Sequence, residues 1–263
     1  MDGTEQRRLP PSEAARKSRR KFLRTWSLAG AALLAWPFRG IAIWAATEAT
    51  YNPREHRYGM GVDVARCIGC GRCVEACKNE NDVPREPFYF RTWVERYVIT
   101  SAGETAVDSP NGGIAGFPAS SSEKGILRTF FVPKLCNHCD DPPCVQVCPV
   151  GATFSTEDGV VLVDRDYCIG CRYCVQACPY GARFIDPRTR TADKCTFCYH
   201  RLVRGLQPAC VEVCPNGARI FGDVRQRSSP LARFTRMRKL HTLKPHLNTK
   251  PKVYYADLDE EVR

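Results

Sequence analysis

Apolar and polar positions change rhythm several times along the chain. Residues 87–100, PFYFRTWVERYVIT, and 126–133, ILRTFFVP, are rich in aromatic and β-branched side chains, a composition that predicts strands. Residues 152–168, ATFSTEDGVVLVDRDYC, hold two shorter runs on either side of Asp158 and Gly159, which predicts a hairpin turning there. YHRLVRGLQPA, at 199–209, reads as helix. Between the two longer strands, residues 101–124 are rich in Gly, Ser and Pro and are expected to form an exposed insertion, either a plain loop or a partner-docking arm.

One apolar run stands apart. Residues 26–46 are broken only by Pro37 and Arg39 and follow SRRKFLRTWSLAG at 18–30, where Arg19 and Arg20 precede Phe22 and Leu23. A twin-arginine pair ahead of an apolar stretch is the layout of an export signal, so residues 1–49 are expected to be an address, cleaved or kept as an anchor. A disordered basic terminus is the alternative. No segment after residue 50 approaches the ~20 apolar residues of a membrane-spanning helix.

The formal net charge of +11 invites a nucleic-acid reading. Nine of the Lys and Arg residues and four acids lie in residues 1–50, however, leaving a formal +6 beyond them. Nine further Lys and Arg, with no acid among them, fall in residues 225–252. That run is expected as an extended basic tail over 225–263, either solvated or docked on an anionic subunit or membrane surface.

The 16 cysteines decide the chemistry. They form four groups of four: Cys67, Cys70, Cys73 and Cys77; Cys136, Cys139, Cys144 and Cys148; Cys168, Cys171, Cys174 and Cys178; and Cys195, Cys198, Cys210 and Cys214. In C-x₂-C-x₂-C a tight loop presents three thiolates to three corners of an iron–sulfur cube, with Gly69 and Gly170 letting the backbone wrap close. The x₃ step carries the chain into a helical turn, so the fourth thiolate serves a neighbouring cluster. Structural zinc needs two separated knuckles converging on one tetrahedral site, which three thiols in seven residues fit poorly. Disulfides are the natural alternative for an exported chain, yet the repeated triplet with proline after its fourth member matches a bacterial ferredoxin. Bound [4Fe–4S] clusters at about −2 each would bring the part beyond residue 50 to a net charge near −2, so the basicity says little about nucleic acid.

The last three groups share the tail C-P-x-G-A, as CPVGATF, CPYGARF and CPNGARI, so the chain is internally repetitive. The hairpin over 152–168 joins the second and third groups into one two-cluster unit, which leaves the first and fourth groups to pair with each other. Exchange of fourth cysteines then predicts four ligand sets. The first is Cys67, Cys70, Cys73 and Cys214, and the second is Cys77, Cys195, Cys198 and Cys210. The third is Cys136, Cys139, Cys144 and Cys178, and the fourth is Cys148, Cys168, Cys171 and Cys174. The fold class expected is α+β: tandem bacterial-type ferredoxin domains, one nested in sequence within the other. The outer unit takes 58–84 and 190–224, a β-rich insertion takes 85–127, and the inner unit takes 128–189. His138 is a candidate donor to a cluster sulfur or a packing residue. His200, Arg201 and Arg204 are candidate stabilisers of added electrons or a solvated face. No metalloprotease, P-loop, nucleophile-elbow or Rossmann pattern occurs in context, so no catalytic residue is expected.

CIGCGRCVEACKNENDVP, CNHCDDPPC, CIGCRYCVQACPYGAR and KCTFC followed by GLQPACVEVCP, spread over residues 58–255, carry a resemblance. The chain resembles the four-cluster iron–sulfur subunits of molybdopterin oxidoreductases, as in dimethyl sulfoxide, polysulfide, thiosulfate and tetrathionate reductases, and the ferredoxin-type protein of formate-dependent nitrite reduction. The resemblance implies four [4Fe–4S] clusters in a line and an electron-transfer subunit without catalysis of its own. It implies a quinone-reactive integral membrane subunit on one side and a molybdopterin subunit or multihaem cytochrome on the other. The twin-arginine head implies export in the folded state, with clusters assembled before crossing, to the periplasmic side of the bacterial cytoplasmic membrane. A freestanding periplasmic polyferredoxin is the alternative.

Overall fold

The computed structural model describes residues 51–118 and 125–262. The export-signal reading of 1–49 lies outside them. In chain order the elements are β1 (Tyr58–Asp63), α1 (Arg72–Glu80), β2 (Thr92–Thr100), β3 (Thr105–Asp108), β4 (Ile126–Leu135), α2 (Pro143–Gln146), β5 (Thr153–Ser155), β6 (Val161–Val163) and α3 (Tyr173–Gln176). They continue with β7 (Phe184–Ile185), β8 (Ala192–Asp193), α4 (Tyr199–Leu202), α5 (Ala209–Glu212), β9 (Arg219–Asp223), α6 (Pro230–Met237), β10 (Leu240–His241) and β11 (Val253–Ala256).

The largest sheet runs β10-β11-β1-β9, with β1 parallel to β11 and antiparallel to β9. Alternation along β1 explains its place. Met60 and Val62 are fully buried in the main core, while Gly59 and Gly61 face α6, where a Cβ on Gly61 would come within 2.6 Å of the Phe234 ring. Helix α6 starts at Ser229, whose hydroxyl accepts from the Ala232 N–H at 3.1 Å, with Pro230 in its first turn.

Residues 225–263 were expected as an extended tail, and the structure corrects this. Helix α6 and strand β11 are integral to the sheet, and Val253, Tyr255 and Ala256 are wholly buried. The physical reason is local: apart from Lys252, the charges of the run sit between, not on, the residues that face the core. Lys252 is itself buried, with its ammonium 2.7 Å from Asp140.

The two expected strands, β2 and β4, form an antiparallel pair, extended by β3 on the outer edge. The exposed-insertion reading of 101–124 fits residues 101–104, 106 and 107, which are exposed, and needs correction over 112–117. Gly112 and Gly113 are buried, and Ile114 and Phe117 pack on the core, covering the loop that holds Cys70. The β5–β6 hairpin turns at Asp158 and Gly159 as expected, pairing Ser155 with Val161.

Asp158 does more than turn the chain. It is fully buried and accepts from the hydroxyls of Tyr51 and Thr156 and, at 3.0 Å, from Tyr199. Burial and then the Asp158 carboxylate push the Tyr199 phenol up to about 12, so it stays a donor. Asp158→Ala would leave these hydroxyls without their acceptor, and a loss of about 3 kcal/mol in denaturant unfolding of the holoprotein is expected. Asp158→Asn, which keeps an acceptor oxygen, should lose less.

Candidate functional site

The cysteine loops owe their shape to glycine. Gly69 sits at φ +68°, and a Cβ there would lie 2.5 Å from Phe131; Gly170 also sits at φ +68°, where a Cβ would lie 2.4 Å from the Arg190 carbonyl. The loops are thereby pressed against the body while the sulfurs turn inward. The x₃ step is helical where expected: Cys73 and Cys77 lie on α1, and Cys174 lies on α3. In each C-P-x-G-A tail the alanine is buried, Ala152, Ala182 and Ala218 alike, and the Ala218 N–H donates to Cys214 Sγ at 3.2 Å.

Three enclosed cavities are each lined by four cysteines. One is lined by Cys67, Cys70, Cys73 and Cys214, beside Val94, Pro133 and Arg219. A second is lined by Cys77, Cys195, Cys198 and Cys210, beside Asn81 and Arg91. A third is lined by Cys136, Cys139, Cys144 and Cys178, beside Asn137 and Arg183. Of the remaining four, Cys168 and Cys174 share a satellite core with Cys144, Val161 and Ala192, Cys171 is exposed, and Cys148 Sγ accepts from the Thr153 N–H at 3.5 Å. All sixteen are free thiols, so the disulfide alternative is not what the structure forms. Among the described residues no three His, Cys, Asp or Glu side chains converge on one point to hold a single ion.

The sets follow one another in space. Arg219, on the wall of the first cavity, donates at 2.7 Å to Thr92 Oγ1, on the wall of the second. Lys194 Nζ joins the carbonyl of Cys195, in the second set, to that of Val161, on the wall of the third cavity. Helices α2 and α3 pack together, carrying Cys144 of the third set to Cys174 of the fourth. The order is therefore first, second, third, fourth. Cys70 and Cys171, the two exposed cysteines, lie at its two ends.

Known proteins share these cysteine-rich segments. The family description 4Fe-4S dicluster domain matches residues 127–224, and a second family of the same description matches 66–152. A tetrathionate reductase subunit from Salmonella typhimurium is 44% identical over 247 residues, covering 92% of this chain and 89% of the relative. Protein NrfC of Escherichia coli is 40% identical, covering 78% of this chain and 82% of the relative. A polysulfide reductase subunit from Wolinella succinogenes is 38% identical, covering 75% and 93% respectively. The chain belongs to the ferredoxin-type iron–sulfur subunits of reductase complexes. As a member of that family it is an electron-transfer subunit and not the catalyst.

The residues present fit [4Fe–4S] clusters. Burial pushes Cys67 up to about 11 and Cys139 up to about 12, so crowded thiols of this kind become thiolates only against a strong cation, and loading must release protons. Backbone N–H groups point at sulfur from Phe197 to Cys195 at 3.4 Å and from Ala192 to Cys168 at 3.3 Å. Asn137 Nδ2, Arg183 Nε, and Arg219 Nε and Nη1 are buried without a protein acceptor, and all three residues line cysteine cavities. Buried donors need acceptors, which cluster sulfur supplies.

The sequence candidates beside the cysteines behave differently. His138 is fully buried, its ring stacks 3.7 Å from that of Phe197, and Nδ1 accepts from the Val161 N–H at 3.0 Å, which leaves Nε2 as a buried donor without a protein acceptor. Burial, aided by Lys194, Lys252 and Arg183, holds it well below the usual histidine range. His200 and Arg201 pair with Glu80 at 2.7 and 2.9 Å, and Arg201 also pairs with Glu212, so acids already answer their charge. The helix expected over 199–209 is two short helices, α4 and α5, separated by a turn at Gly205. Arg183, Lys194 and Arg219 were missed. A signal existed: Arg183 and Arg219 occupy the same place after the G-A pair in two copies of the repeat.

Proposed function

We propose that the protein holds four [4Fe–4S] clusters in the four predicted ligand sets and relays electrons along them between two partners of a respiratory complex. The observation that carries this is the series of thiol sets ending at exposed Cys70 on one side and exposed Cys171 on the other. Bound clusters would supply reversible one-electron uptake. The protein's own residues hold them, keep water from the two inner sets and leave an opening at each end. The ferredoxin unit over 128–189 is nested between the halves 58–84 and 190–224 of the other, a reading supported by β1 pairing with β9 and by α1 packing on α5.

The partners are a quinone-reactive membrane subunit and a molybdopterin subunit or multihaem cytochrome, at the periplasmic side after twin-arginine export. The relatives named as reductase subunits support a place in a multisubunit complex, and the twin-arginine layout at Arg19 and Arg20 motivates the location. No helix among the described residues is long and apolar enough to cross a membrane, so membrane contact would run through the signal segment or a partner. Gentle purification from native membranes is expected to yield about 16 irons per chain together with at least one redox subunit. A fully loaded chain that always purifies alone would favour the freestanding carrier.

A further inference from the structure

Arg219, Lys194 and Arg183 are 2%, 0% and 5% exposed. Among the described residues none of them pairs with a carboxylate, whereas neighbouring buried Arg91 pairs with Asp193 at 2.8 Å. An unanswered buried cation is strongly unfavourable, and an anion beside each would answer it.

Each has the same kind of address. Arg219 lines the cavity of the first set and donates at 2.7 Å to Oγ1 of Thr92, which lines the cavity of the second. The Lys194 ammonium bridges the carbonyl of Cys195, in the second set, at 2.7 Å and that of Val161, which lines the third cavity. Arg183 lines the third cavity and donates to Thr153 Oγ1 at 3.3 Å and to Cys144 Sγ at 3.1 Å, and Cys144 packs with Cys174 of the fourth set. Arg219 and Arg183 occupy the same place in two copies of the internal repeat.

We propose that Arg219, Lys194 and Arg183 are junction charges, one cation between each successive pair of clusters, raising the reduction potentials of both clusters it separates. The inference rests on the four-cluster reading above. When one electron passes, one cluster is oxidised and its neighbour reduced, with no bond made and no proton moved. A cation midway attracts the electron on either side, so the hop stays close to level. A charge beside one cluster only would instead deepen that site into a trap.

The test is a potentiometric titration of the holoprotein followed by electron paramagnetic resonance. Arg219→Gln is expected to lower the reduction equilibrium of the first and second clusters at least tenfold each, about 59 mV for one electron, and to leave the fourth unmoved. Arg183→Gln should do the same to the third and fourth and spare the first. A shift confined to one cluster, spread evenly over all four, or absent at full iron content would overturn the assignment while leaving the four-cluster reading intact. Where Arg219→Gln loses iron, Arg219→Lys decides: keeping the charge should keep both potentials, and a fall in either overturns the proposal. Wild-type protein with far fewer than about 16 irons overturns both readings together.

Discussion

Cys214→Ser is expected to abolish the signal of the cluster held by Cys67, Cys70 and Cys73 and to spare the one held by Cys195, Cys198 and Cys210, although Cys214 belongs to the latter group in sequence. Pro215 turns the chain directly after Cys214, and the Ala218 N–H reaches back to Cys214 Sγ at 3.2 Å, setting that sulfur on the wall of the first cavity. The second cavity is instead completed from α1, by Cys77. Serine is a poor ligand for a cubane corner, so the variant should lose up to about a quarter of its iron or carry one altered centre. Cys77→Ser should give the reciprocal loss in the second set. The readout is iron content together with the resonance spectrum of the reduced protein. A Cys214→Ser spectrum in which the second cluster is lost and the first retained would refute the exchange of ligands.

How much of this could be read in advance depends on where the constraint lies. Thiolate spacing is a covalent constraint, so CIGCGRC and CIGCRYC announce their loops, and the structure forms them with Gly69 and Gly170 at positive φ. The β5–β6 hairpin and the strands β2 and β4 were also legible, because β-branched and aromatic runs between turn residues leave little choice. Strand β11 was not. Val253, Tyr255 and Ala256 face the core, but they follow a run of lysines and arginines, and a window over 225–252 sees only charge. Its parallel partner β1 lies nearly two hundred residues earlier, a pairing that local pattern cannot signal. The roles of the basic residues near the cysteine groups were hard to read for a similar reason. Arg201 stands next to a cysteine group in sequence but finds Glu80 and Glu212 in space, while Arg219 and Arg183 find no acid. Charge alone does not mark a functional cation; burial without a carboxylate partner at the wall of a cysteine cavity is what sets Arg219 and Arg183 apart.

A chain ended after Leu247 is expected not to fold into an iron-loaded state, even though every cysteine is retained. The cut removes β11 from the middle of the β10-β11-β1-β9 sheet, and with it three wholly buried residues. Losing Val253 and Tyr255 alone costs about 3–6 kcal/mol of apolar burial, against a typical total stability of about 5–15 kcal/mol. The cut also strips the third cysteine set of its clamp. Asp140 N–H donates to the Lys250 carbonyl at 3.0 Å, Asp141 N–H to that of Thr249 at 3.2 Å, and Lys252 N–H returns to the Asn137 carbonyl at 2.9 Å. Thr249 Oγ1 also lies 2.5 Å from the hydroxyl of Tyr180, two residues past Cys178. These contacts shape the loop from Cys136 to Cys144, so the third set fails even if the remainder collapses. Soluble yield and iron per chain measure the outcome. A soluble truncated chain with full iron and an unchanged spectrum would return the C-terminal segment to the status of a solvated tail.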